Sequence, residues 1–346
     1  MKKATVLFRL PHQRGLHYCS GPEVDFSHQR EQPTGFVLHP FSQQDTAKLI
    51  EGTPAVLTEN TFRKLAIVLE AGSLPFSATE STQLDYLQLV EKAVQRIQEE
   101  AVHKVVCARS KVFEVNASFT LKAYFESLLA DENLEGAFIY LLLSPTFGTW
   151  IGATPELFFQ EDHHKVKTVA LAGTLAKEDG GASRGFTDKE KEEQAWVLRF
   201  IIEAFKKRGL KPKIDEIQRI AAGNLWHLKN AIEALKSENA AIDRLIEDLH
   251  PTPAVGGLPK KAALAFIEKE EKLERSLYSG YLGPYEKGLY KHFYVNLRCM
   301  RYHKASNQLK LFAGAGIVAD SDAMKEWKET EHKMRTLEKH LSAFLA

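Results

Sequence analysis

The chain has 346 residues, 44% of them hydrophobic and 26% charged, which fits a folded globular protein and excludes a disordered or fibrous one. Its 46 Lys and Arg against 45 Asp and Glu leave a net charge of +1, without the broad positive field of a nucleic-acid binder. Cys19, Cys107 and Cys299 lie far apart; they form neither a disulfide framework nor a CxxC metal motif, and suit a reducing compartment.

The chain opens on Met1-Lys2-Lys3 and the apolar run Ala4–Phe8, read as a strand and too short for the core of a signal peptide. A loose stretch, Pro11–Gly35, follows, and then a helical period over Leu84–Ala101. Strand-like runs come next at Lys104–Phe113, Ala137–Leu143, Thr149–Gly152 and Lys165–Leu171. The longest apolar stretch, Ala137–Leu143, falls far short of the roughly 20 residues that span a bilayer, so an unanchored cytoplasmic protein with no membrane partner is expected. The Gly-rich loop Glu178–Gly185 precedes a helix over Thr187–Arg208. A third helix is expected at Pro259–Glu274, strands at Leu289–Arg301 and Gln308–Val318 joined as a hairpin by Tyr302–Asn307, and a last helix at Asp320–Ala346. Strands in blocks with helices between them favour an α+β fold of layered sheets over strict βαβ alternation. With no linker or repeat visible, one large domain over residues 1–346 is expected.

On the helix Thr187–Arg208, Glu193, Val197, Phe200 and Ala204 fall on one stripe, with Glu190 and Ile201 at its edge. A carboxylate on a core-facing stripe needs a partner or a cation; the alternative is a solvated acidic run. On the last helix Trp327, Met334, Leu341 and Leu345 form the apolar seam, and Glu326, Glu329 and Lys333 share a strip beside it. An ordinary intrahelical salt bridge explains the latter equally well. Together the two glutamate pairs offer oxygen ligands to a hard cation such as magnesium.

Several segments join charge to apolar surroundings or to turns. Lys104 opens the run Lys104–Arg109, and Glu156 follows Gly152-Ala-Thr-Pro; they read either as a general base and acid or as a snorkelling lysine and an exposed glutamate. The turn-rich Leu249–Lys260 reads as a pocket wall or a structural turn. Arg298, inside an apolar strand, reads as an edge gatekeeper or, if buried, as the partner of a carboxylate. Phe312–Ala319 imitates a dinucleotide fingerprint, but no second parallel strand follows, so that reading is rejected. Its glycines predict close backbone approach instead.

Eight segments, in order, then carry a resemblance: Lys104–Arg109, Gly152–Glu156, Leu171–Thr174, Leu225–Leu228, His250–Ala254, Leu297–Cys299, Phe312–Ile317 and Glu326–Thr330. With these the chain resembles the chorismate-utilising enzymes, most closely the isochorismate synthases, from about residue 85 to 346; residues 1–80 are divergent. The resemblance implies the fold of anthranilate synthase component I, with large sheets and flanking helices around a central cleft. It also implies magnesium-dependent isomerisation of chorismate to isochorismate for menaquinone or siderophore synthesis. On this resemblance Lys104 activates water for attack at C2, and Glu156 protonates the departing C4 hydroxyl. Glu193 and Glu329 hold the metal, with Glu190 and Glu326 behind them. Arg298 and Lys333 bind substrate carboxylate, helped by backbone N–H groups around Gly314, Ala315 and Gly316. Such a lysine must lose, and such a glutamate keep, a proton near neutral pH, and apolar burial pushes each that way.

Two positions select within the family. Ala172 stands where aminodeoxychorismate synthases carry a nucleophilic lysine, and Ala254 where ammonia-using and salicylate-forming relatives tend to carry threonine. No amidotransferase nucleophile motif is present, so no glutamine-hydrolysing subunit is expected, and the protein is expected to be a monomer. The alternatives are a salicylate synthase and a non-catalytic chorismate-binding subunit. The chain departs from the family at Gln194, where histidine is usual, at Lys325 (glycine) and at Lys328 (arginine); the first bears on how the metal site is held.

Overall fold

The run Phe138–Ser144 is buried on both faces, and that explains why it is apolar without alternation. Phe138, Tyr140 and Leu142 point into a core between two sheets, while Ile139 and Leu141 point outward against helices. The computed structural model of the chain describes residues 3–28, 34–58, 61, 74–77, 80–176, 185–222, 225–236, 241–286 and 289–345. Of the predicted Gly-rich loop Glu178–Gly185, all but Gly185 lies outside the described residues.

All strand pairings in both sheets are antiparallel. Through its hydrogen-bonded neighbours the first sheet runs Ala55–Val56, Leu16–Asp25, Lys3–Arg9, Phe138–Ser144, Gly148–Thr154, Cys299–His303, Gln308–Ile317, Lys104–Glu114 and Gly257–Leu258. The second runs Leu16–Asp25, Lys48–Glu51, Gly35–His39, Tyr281–Glu286, Tyr290–Val295, Leu157–Glu161, Lys165–Ala176 and Leu225–Leu235. Leu16–Asp25 belongs to both, so residues that carry little pattern in the sequence join the two sheets.

Six described helices cover the sheets: α1 (Gln83–Gln98), α2 (Leu121–Ala130), α3 (Asp188–Lys207), α4 (Ile242–Leu249), α5 (Lys260–Glu270) and α6 (Ala323–Glu338). Helices α3 and α4 bury Val197, Ile201, Phe205, Leu245 and Leu249 against the second sheet. Helices α2 and α6 bury Tyr124, Leu128, Met334 and Leu337 against the first. Helices α1 and α5 close its far end over Val105, Cys107, Ala315 and Ile317. The result is the layered α+β architecture that the sequence implies.

Several boundaries differ from expectation. Helix α6 ends at Glu338, and the chain then turns so that Leu345 bridges Val115. Helix α5 stops at Glu270, and Glu271, whose backbone is extended at the C-cap, pairs with the buried Arg275. The predicted strand Leu289–Arg301 is two strands in different sheets, broken at Asn296–Arg298; Arg298 has φ +46° and is not in a strand. Helices α2 and α4, and the strands between residues 16 and 56, were not expected from the sequence. No described helix is long and apolar enough to cross a membrane, and all three cysteines are free and buried.

Candidate active site

Two neighbouring strands change sheets at the same place. After Gly148–Thr154 in the first sheet, Pro155 and Glu156 carry the chain into Leu157–Glu161 in the second. Their partner strands cross the other way, from Tyr290–Val295 through Asn296–Arg298 into Cys299–His303. Ala153 N donates to Arg298 O at 2.9 Å and Val295 N to Glu156 O at 3.0 Å. Thr154 Oγ1 donates to Val295 O at 2.6 Å. Asn296, fully buried, accepts from Tyr140 Oη at 2.7 Å and donates to Leu277 O at 3.0 Å. This double crossing places Glu156 and Arg298 on one cleft.

The cleft is lined from six directions: by Glu156 and Arg298, by Leu171–Gly173, by Glu193 on α3, by His227, by Ala254 and Val255, and by Phe312–Gly316 with Glu329 and Lys333 on α6. The turn-rich segment is thus a wall of this pocket; its Gly257 and Leu258 pair with Val105 and Lys104. Ala315 is the exception among the expected substrate-binding positions. Its side chain, fully buried, packs in the core under α1 and α5, so any role in the cleft is confined to its backbone.

Burial pushes the Glu156 carboxyl up to about 8, against the partial opposition of Lys104, Lys333 and Arg298. Arg298 Nη1 donates to Lys333 O at 2.9 Å and Thr336 Oγ1 at 3.0 Å. Burial draws its guanidinium down to about 10, which leaves it charged at neutral pH. Lys333 Nζ donates to Glu329 Oε1 at 2.6 Å and Gly314 O at 2.7 Å. His227 is held down to about 3 by burial and by Arg298 and Lys333, so it presents a neutral ring.

Lys104, 1% exposed, lies behind the cleft wall beside Gly316, and its Nζ donates to Glu193 Oε1 at 2.6 Å. A Cβ on Gly316 would stand 2.8 Å from that oxygen and 2.9 Å from Lys104 Cε; the glycine makes room for the pair. The apolar surroundings expected for Lys104 are present in Val105 and Val106, and the carboxylate partner is an addition.

The four glutamates fall into two kinds. Glu193 and Glu329 face the cleft, each against a lysine and partly exposed. Glu190 closes the capping box of α3, accepting from Thr187 N at 2.7 Å, and its backbone O would lie 2.9 Å from a Cβ on Gly173. Glu326 is buried and accepts from Ser321 Oγ at 2.8 Å. Among the described residues no three His, Cys, Asp or Glu side chains stand together as an ion-holding group. Magnesium needs only one or two carboxylates and keeps the rest of its shell for water and substrate oxygens, and the two facing glutamates fit that requirement.

The stripe on α3 is turned from its expected position: Gln194, Val197, Ile201 and Phe205 are buried, leaving Glu193 at the cleft edge. Gln194 Nε2 donates to Ala170 O at 2.8 Å and Asn230 Oδ1 at 3.0 Å, tying the helix to two strands of the second sheet. Residues the sequence did not single out include Tyr278 and Phe312 on the cleft wall and Arg109, fully buried. Arg109 lies 3.6 Å over the Trp327 ring, donates to Thr330 Oγ1 at 2.6 Å and pairs with Glu331, so it fixes α6 to the strand of Lys104. Its place inside the apolar run Val105–Arg109 was the available signal.

Comparison with known proteins gives the family and the fold. The family model described as chorismate binding enzyme matches residues 39–342. The chain is 29% identical over 265 residues to isochorismate synthase EntC of Escherichia coli (strain K12), covering 74% of this chain and 66% of that protein. The matched stretch is thus just under two thirds of that relative's length. The structure of MenF, the menaquinone-specific isochorismate synthase from Escherichia coli, superposes with a TM-score of 0.77 at 22% identity, covering 98% of this chain and 89% of that one. Anthranilate synthase component I from Streptococcus pneumoniae TIGR4 gives 0.68 at 16% identity, with 91% and 83% covered. At these identities the two structures establish the fold alone.

Proposed function

The chain belongs to the chorismate-binding enzymes, and on that premise we propose that it is an isochorismate synthase, converting chorismate to isochorismate. The observation that carries the reading is a buried carboxyl, Glu156, raised to about 8 on a cleft lined also by Arg298, Lys333 and Glu193, with Lys104 buried beside Gly316 and bound to Glu193. An acid protonated at neutral pH beside two cations suits a dianionic substrate that must lose a hydroxyl.

In this mechanism Arg298 and Lys333 hold substrate carboxylate. Lys104 takes a proton from the water that attacks C2, and Glu156 gives its proton to the C4 hydroxyl as it leaves as water, while the ring double bonds shift. Glu193 and Glu329 would hold magnesium, with Glu190 and Glu326 supporting the helix ends that present them. The metal's contribution when bound is charge neutralisation of the substrate carboxylate. Glu193, whose Oε1 accepts from Lys104 Nζ, would be shared between that lysine and a bound cation. Apolar walls at Val106, Leu171, Leu297 and Phe312 exclude water from the ring.

We further place the protein in the cytoplasm as a single-domain monomer without an amidotransferase subunit, supplying isochorismate to menaquinone or siderophore synthesis. The deciding experiment is incubation of the purified protein with chorismate and magnesium, followed by chromatography. Isochorismate is the expected product; salicylate with pyruvate would make it a salicylate synthase, and chorismate binding without turnover a non-catalytic subunit.

A further inference from the structure

A second and larger recess, of about 280 Å³, lies behind the cleft, between the inner face of the first sheet, α1 and residues 270–276. Its inner wall is aromatic: Trp150 and Phe312 stack at 5.3 Å, and Phe312 stacks in turn on Tyr278 at 5.4 Å. Phe312 therefore faces both cavities, and Tyr278 lines the cleft. Tyr86 and Phe76 complete the apolar lining.

Two cations enter this recess from neighbouring strands. Arg301 and Lys310 oppose each other across the hairpin, and each is more than nine-tenths buried. Arg301 Nη2 donates to Pro75 O at 3.2 Å and Lys310 Nζ to Ser77 O at 3.0 Å. Neither has an ion-pair partner among the described residues, although Glu274 acts on both at longer range. Arg301 Nε and the hydroxyl of Ser110, also on the lining, are buried with no hydrogen-bond partner. Of the other acids on the lining, Asp85 pairs with Lys272, Glu270 with Lys92 and Glu271 with Arg275, while Glu80 and Glu274 are exposed. Two buried cations without a directly paired carboxylate, beside unsatisfied donors, are costly unless a ligand completes them. A cavity of about 150 Å³ already admits benzene.

We propose that this recess is a second binding site, for a small aromatic carboxylate, set back to back with the active cleft and sharing Phe312 with it. The ring lies against Trp150 and Phe312, and the carboxylate accepts from Arg301, Lys310 and Ser110. Occupancy bears on Phe312 and, through the stack, on Tyr278, giving the ligand a route to the cleft.

The test is calorimetric titration of the full chain with benzoate, and with acetate to isolate the contribution of the ring. Saturable benzoate binding at one site, at least tenfold tighter than acetate, is expected. Arg301→Gln and Lys310→Gln should each weaken it at least tenfold, with chorismate turnover in the absence of benzoate unchanged, whereas Lys333→Gln should leave benzoate binding intact. Should the buried variants fail to fold, fluorine–proton Overhauser contacts from 4-fluorobenzoate to Trp150 in the unmodified protein locate the ligand. Absence of saturable binding, acetate binding as tightly as benzoate, loss of binding in Lys333→Gln alone, or contacts confined to the cleft would each overturn the proposal.

Discussion

Glu193 Oε1 stands 2.6 Å from Lys104 Nζ, and the missing side chain of Gly316 is what lets the two meet. The pair joins helix α3, over the second sheet, to a strand of the first beside the cleft. It sets the proposed base directly against a proposed metal ligand.

Replacing Lys104 with Ala should lower kcat by about 10²–10⁴-fold, the range for loss of a general base. Chorismate affinity should stay within a few fold, because Arg298 and Lys333 remain. Turnover at the unmodified rate would remove Lys104 from the mechanism.

Gly316→Ala tests the pair without touching either partner. The added methyl cannot share space with Glu193 Oε1 and Lys104 Cε, so the side chains must part by a fraction of an ångström. A drop in kcat of about tenfold or more is expected from such misplacement, with a melting temperature close to that of the parent; unchanged kcat would mean that the contact is dispensable.

Glu156 controls the alkaline limb. Its carboxyl is protonated below about 8, so kcat/KM should fall as pH rises through that value. In Glu156→Gln the residual activity, about 10²–10⁴-fold lower, should lose this limb. Stability follows with the same sign: the folded state retains a proton that the unfolded chain, with an ordinary value of 4.5, releases. Stability at that site is therefore complete below about 4.5 and is lost as pH rises through about 8. Urea titrations of both proteins at pH 5 and pH 9 read that difference, which should shrink in Glu156→Gln.

Glu329→Ala should weaken magnesium activation by about tenfold or more, taking the loss of a supporting metal contact as the lower bound. It also frees Lys333 from its carboxylate partner. Chelation of the metal should abolish turnover in the parent protein, and restoring magnesium should recover it. Full turnover in chelator would exclude the metal role.

Gln194→Ala separates structure from chemistry. Its buried amide holds α3 to Ala170 and Asn230, and removing it should cost about 1–3 kcal/mol in urea unfolding. The magnesium concentration that gives half activation should stay within a few fold. A large loss of metal response would move Gln194 from an anchor of the helix to a part of the metal site.

Much of this molecule was legible in one dimension. Alternating or fully apolar runs such as Lys104–Glu114 and Phe138–Ser144 announce strands because burial on one or both faces dictates residue type at a period of two. The 3.6-residue period announces α1, α3 and α6. Ordered motifs pointed to Lys104, Glu156, Arg298 and Lys333, and the glycines of Phe312–Ile317 to a close approach of backbone and side chains. The short α2 and α4 and the strands of residues 16–56 were not legible, since brief elements yield too few turns or alternations to stand out from their neighbours. Periodicity reports that a face is covered but not by what, so it could not tell that Leu289–Arg301 is cut at Asn296–Arg298 to serve two sheets. Nor could it turn Gln194 rather than Glu193 into the core, place the side chain of Ala315 away from the cleft, or set Glu190 to capping its own helix. Those outcomes depend on contacts between residues far apart in the chain, such as Gln194 with Asn230 or Arg109 with Thr330, and only the folded arrangement brings such residues within reach of one another.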